Sequence, residues 1–166
     1  MRLSPIALVF GLAASSMAVP GASQRPDDQI APRSTQLLKQ GETAAAAGKY
    51  LEADDSFEAA LAVDPRNRAA FVAMARVATK QKLYGQAIRF TNKALSLEPT
   101  DRNAMAVQGQ AMVELGAVAR AKEVLAKLQT LCAGPCPEAG TLSAAIARGP
   151  TLAAAKPAVK AKTKVN

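Results

Sequence analysis

Apolar positions along this chain recur on a long beat and not in alternation. No segment alternates β-branched with polar residues over a useful length, so helix is the expected element throughout. Displacing the sequence by 34 residues brings Tyr50 onto Tyr84, Ala53 onto Ala87, Ala60 onto Ala94, Leu61 onto Leu95 and Pro65 onto Pro99. A further displacement brings Ala87 onto Ala121, and two together bring Gly41 onto Gly109 and Gly48 onto Gly116. Coincident alanines mean little in an alanine-rich chain, whereas coincident Pro, Gly and Tyr set a phase. Helices are expected near 34–47, 50–63, 68–81, 84–97, 102–115 and 118–131. A shorter seventh helix is expected from Pro137, a residue suited to a first helical turn.

The punctuation agrees with that division. Asp64-Pro65 and Glu98-Pro99 end a helix, because the residue before proline is pushed out of the α region. Asn67 and Asp101 follow closely and are good caps for the next helix. Gly48 and Gly116 fall in the short turns inside each helix pair, where a positive φ is useful. Gly41 and Ala53 would let paired helices approach closely, and Phe57, Leu61, Phe71, Leu95 and Leu125 would fill the wider gaps.

These residues resemble the tetratricopeptide repeat, a helix–turn–helix unit of 34 residues, over 34–67, 68–101 and 102–133. The first unit has Gly41 in its eighth place, Ala53 in its twentieth, Phe57 in its twenty-fourth, Ala60 in its twenty-seventh and Pro65 in its thirty-second. The second carries Phe71, Ala75, Ala87, Ala94 and Pro99, and departs at Thr91, where a large apolar residue is usual. The third has Gly109, Ala121 and Leu125, but lacks the small residue at Leu128 and the proline at Ala133. The resemblance implies an all-α fold: an α–α superhelix, or solenoid, of three helix hairpins. A capping helix over 137–148 would cover the apolar end of the stack through Leu142, Ala145 and Ile146.

Such units curve into a superhelix whose concave wall is lined by the first helix of each pair. The groove positions implied by the resemblance are Leu38, Glu42 and Ala45 in the first unit, Val72, Arg76, Thr79 and Lys80 in the second, and Ala106, Gln110 and Val113 in the third. The expected partner is another protein or a peptide held there, in a scaffold or adaptor role. One branch of the family clamps a C-terminal carboxylate with basic and amide side chains. The corresponding places here hold Leu38, Glu42, Asn103 and Val107, with an acid where a donor is needed, so that clamp is not expected.

Composition narrows the function further. The 166-residue chain has no histidine, which removes the commonest general base and imidazole ligand, and no phosphate-cradling glycine loop. Asp54, Asp55 and Glu58 cluster on one helix at outward positions and read as a solvated face. No enzyme activity, cofactor or metal is expected. The formal net charge of +8 is largely a property of the end of the chain, where Arg148, Lys156, Lys160, Lys162 and Lys164 follow the last acid. Interleaved aromatics are missing, so nucleic acid is not an expected partner.

The ends and the cysteines complete the expectations. Arg2, the apolar run Ile6 to Ala14 and Ser16-Met17-Ala18 have the form of a signal peptide over 1–18, implying export to the periplasm or beyond in a bacterium. Residues 19–33, with Pro20, Pro26 and Pro32, read as a flexible lead, and 149–166 as a basic disordered tail. Cys132 and Cys136 flank Ala-Gly-Pro and read first as a small structural disulfide, with free thiols or a redox or metal site as alternatives. Two further functional readings follow: thiol–disulfide chemistry at that pair, or a tether in which the tail makes weak contact with an anionic envelope surface.

Overall fold

The computed structural model describes residues 29–151. The signal-like segment, most of the lead and the tail beyond Thr151 lie outside the described residues. Within them the chain forms seven α-helices and no strand. They are α1 (Pro32–Ala46), α2 (Tyr50–Val63), α3 (Arg68–Lys80), α4 (Tyr84–Leu97), α5 (Arg102–Glu114), α6 (Val118–Thr130) and α7 (Pro137–Arg148). The first helix begins at Pro32, two residues ahead of the expected start at Ser34, because Pro32 supplies a ready-made first turn. Asp64 steadies that entry by accepting the Ala31 N–H at 2.9 Å.

Three pairs, α1–α2, α3–α4 and α5–α6, stack side by side, and the first helices α1, α3, α5 and α7 also pack on one another in series. Short turns join the members of each pair, so the partners run antiparallel. Gly48 and Gly116 turn the chain at φ 74° and 80°. Asn67 and Asp101 cap α3 and α5, accepting the N–H groups of Ala70 at 3.3 Å and Ala104 at 3.0 Å.

Small residues decide how closely the helices meet. Ala53, Ala60, Ala75, Ala87, Ala94, Ala104, Ala111 and Ala121 are all fully buried. Gly41 faces the Phe57 ring and lies against the Ala53 carbonyl, leaving no room for a β-carbon. Thr91, the departure in the second unit, is also fully buried. Its hydroxyl is satisfied within its own helix, donating toward the carbonyls of Ala87 and Ile88, both at 3.0 Å. Among the described residues no buried side-chain polar atom lacks a hydrogen-bond partner.

The last helix replaces what the third unit lacks. It packs on both α5 and α6, with Leu142 and Ala145 buried and Ile146 half-buried. Leu142 fills the space over Gly109, and Leu128 packs with Ala106 and the small Ala139 of α7. A bulky residue is therefore tolerated at Leu128, because the neighbouring helix is small at the point of contact. Among the described residues no helix is long and apolar enough to cross a membrane.

Candidate functional site: a two-part groove along the first helices

A cavity of about 440 Å³ opens between α1 and α3. Its floor is apolar, made of Ala45, Tyr50, Phe57, Val72, Ala73 and Val77, and Glu42, Arg68, Arg76, Lys80, Asp101 and Asn103 also border it. A second cavity of about 390 Å³ lies between α5 and α7, bordered by Ala106, Val107, Gln110, Pro137, Glu138 and Thr141. Arg76 and Asn103 belong to both and mark the ridge between them. The two cavities are successive parts of one groove running across the first helices.

Periodicity places these side chains. Glu42, Arg76 and Gln110 occupy the same place in three successive units, and Val72 and Ala106 share another. Of the ten positions expected from the sequence, Glu42, Ala45, Val72, Arg76 and Lys80 border the first cavity, and Ala106 and Gln110 the second. The other three do not reach the groove. Val113 is fully buried, because α5 is packed by α3, α4, α6 and α7 at once. Leu38 is half-buried against the core around Phe57, Met74 and Val77. Thr79 is half-buried, its hydroxyl donating to the Ala75 carbonyl at 2.8 Å.

Sequence reasoning missed the contribution of the second helices, Tyr50 and Phe57, and the wall supplied by Pro137, Glu138 and Thr141. The first could have been found from bulky residues facing small ones across a pair. The second had no signal, since α7 lies beyond the repeating pattern.

Ion pairs divide the charged lining. Arg68 Nη1 meets Asp101 Oδ2 at 2.7 Å, so its charge is spent within the protein. Arg76 Nη2 donates to Asn103 Oδ1 at 2.9 Å, which orients the guanidinium without neutralising it. Glu114, one turn further along α5, is drawn away from the groove. It accepts from Arg148 Nη2 at 3.1 Å and from the Thr151 N–H at 2.9 Å, fastening the end of α7. Burial alone would raise its carboxyl pKa, but hydrogen bonds from Thr151 and Arg148 outweigh burial and hold it below the usual value.

Two other expected features lie away from the groove. Asp54 is half-buried while Asp55 and Glu58 are exposed, and burial, with repulsion from Glu58 and Asp55, raises the Asp54 pKa. Cys132 and Cys136 bracket the α6–α7 turn with their Cα atoms 5.9 Å apart. Cys136 precedes the first turn of α7 and packs against the Ala106–Leu128–Ala139 cluster.

An all-helical solenoid with a groove along its first helices is the architecture of tetratricopeptide-repeat domains. Residues 44–110 match the family model described as tetratricopeptide repeat, so this part of the chain carries the repeat. Solved structures agree on the fold. The tetratricopeptide domain of Sgt2 from Aspergillus fumigatus is 22% identical with a TM-score of 0.63, covering 82% of this chain and 93% of that one. The TPR2B domain of yeast Sti1, in a complex with pHsp70, is 17% identical with a TM-score of 0.65, covering 71% and 98%. The first domain of Spaghetti (RPAP3), bound to the HSP90 peptide SRMEEVD, is 22% identical with a TM-score of 0.64, covering 70% and 94%. No curated protein sequence matches significantly.

Proposed function

We propose that this chain is a non-enzymatic interaction module of the bacterial cell envelope, exported by its N-terminal segment, that holds a peptide or protein segment in the concave groove. The observation that carries this reading is the cavity of about 440 Å³ between α1 and α3, with its apolar floor and charged border. Its size falls in the range of ligand pockets, roughly 300–1,000 Å³. The peptide complexes of the Spaghetti and Sti1 domains support the same use of the fold. Arg2, the apolar run from Ile6 and Ser16-Met17-Ala18 support export. The test is cross-linked capture of partners from the envelope fraction by the mature protein. Charge reversal at Arg76 should remove the partners held in the groove; a partner list unaltered by Arg76→Glu would count against the reading.

Export also bears on the cysteines. In an oxidising compartment the pair at the α6–α7 turn forms a structural disulfide that holds α7, and with it the outer wall of the second cavity, against α6. Short loops of this kind contribute about 2 kcal/mol in the chain-entropy account. Alkylation of the denatured, non-reduced protein should add no mass at Cys132 or Cys136. Quantitative labelling of both would remove the bond.

A further inference from the structure

The groove's open charges are unevenly distributed, and their arrangement bears on what the groove accepts. Asp101 neutralises Arg68. Among the described residues Arg76 and Lys80 form no ion pair, and both border the same cavity as Glu42. Arg76 and Lys80 are four residues apart on α3 and therefore neighbours on one helix face, where like charges repel. An anion between them would turn that repulsion into two attractions. Asn103 already aims the Arg76 guanidinium while leaving its charge intact. Across the cavity, on α1, the exposed Glu42 makes the opposite border unfavourable to a second acid. Beneath both borders lies the floor of Tyr50, Phe57, Val72 and Val77.

Resting on the peptide-binding reading above, we infer that the groove takes an internal segment of a partner in which a bulky apolar side chain lies within two residues of an acidic one. The apolar side chain enters the α1–α3 cavity. The neighbouring side-chain carboxylate sits between Arg76 and Lys80. A free chain end is not required, because Leu38, Glu42, Asn103 and Val107 offer no set of cationic donors for a terminal carboxylate.

The test is selection of random twelve-residue segments, fused at both ends to a display carrier so that no terminus is free, against the full chain. The recovered pool should be enriched in acids within two residues of an aromatic or leucine. A representative segment, made with blocked ends and titrated by fluorescence anisotropy, should bind about five- to tenfold more weakly when its acid becomes the amide. The same loss should appear when the acidic form is titrated against R76Q/K80Q, whose unchanged helical circular dichroism would establish intact folding. Added salt should erode the acidic segment's advantage.

Methyl NMR shifts at Val72 and Val77 locate the binding. Segments that perturb these methyls with no preference for an acid, or with a preference that survives in R76Q/K80Q, would overturn this inference and leave the interaction reading standing. A selection that yields no segment perturbing them overturns both.

Discussion

Single side chains reveal where the repeat is tight and where it is forgiving. Gly41 has no room for a β-carbon beside the Phe57 ring and the Ala53 carbonyl, whereas the nearest atoms to one at Gly109 all belong to the Leu142 side chain. Alanine gains about 1 kcal/mol over glycine in a helix interior, and overpacking costs about 1–3 kcal/mol. Gly41→Ala should therefore lower stability by up to about 2 kcal/mol, with Gly109→Ala less costly because a leucine side chain can turn where the Ala53 carbonyl cannot. Urea unfolding compares the two, and a Gly41→Ala protein more stable than the parent would contradict the packing account. Asp64 provides a second residue-scale test. Its hydrogen bonds from Arg66 and from the Ala31 N–H lower its pKa from 3.8 to about 2. A depressed carboxylate pKa stabilises the fold above the unfolded value, and that stability is lost as pH falls through the folded one. Allowing for solvent around the half-exposed Arg66, the contribution is about 1–2 kcal/mol near neutrality. It should disappear between pH 3.8 and about 2. Asp64→Asn should lower stability at neutral pH and flatten that part of the acid limb; an acid limb of unchanged slope would remove Asp64 from the account.

At the scale of elements, equivalent places are solved by different chemistry. Where Ser34 Oγ accepts from Asn67 Nδ2 at 2.8 Å in the first unit, Arg68 and Asp101 form an ion pair in the second. The same tie between helix starts is kept, with its polarity changed. The inner turns show a less even replacement. Gly48 and Gly116 hold positive φ, and the matching residue of the second pair is Lys82, at φ 62°. A side chain in that region is strained by about 1–2 kcal/mol relative to glycine, less the entropy glycine adds to the unfolded chain. Lys82→Gly should therefore stabilise by about 0.5–1 kcal/mol, read as a raised midpoint in thermal unfolding. A lowered midpoint would mean that Lys82 makes contacts worth more than its strain. The repeat register explains this position, since Gly48 and Gly116 lie one period away on either side.

Across the whole molecule, stability is passed between neighbours. Each helix pair of a solenoid touches only the next, so a local loss stays local. Leu142 is fully buried over Gly109, and truncating such a residue costs about 2–5 kcal/mol. Leu142→Ala should accelerate amide exchange in α5, α6 and α7 while leaving α1 and α2 near their parent rates. Uniform acceleration along the chain would mean that the stack unfolds as one unit. The second cavity should suffer with it, because α7 is one of its walls.

Helix positions, their pairing and the row Glu42, Arg76 and Gln110 were legible in the sequence, because all three follow from a period in which Pro, Gly and bulky residues keep step. Local chemistry suffices for that: a proline ends a helix and an asparagine or aspartate starts the next, whatever surrounds them. Tertiary structure alone decided which of those residues remain open. Val113 shares a repeat place with the groove-bordering Ala45, yet it is sealed because α5 is packed by α3, α4, α6 and α7, and burial depends on neighbours a period cannot register. The wall supplied by α7, the spending of Arg68 on Asp101 and the open cations of Arg76 and Lys80 are likewise products of packing, since charge is paired by distance in space and not by distance along the chain.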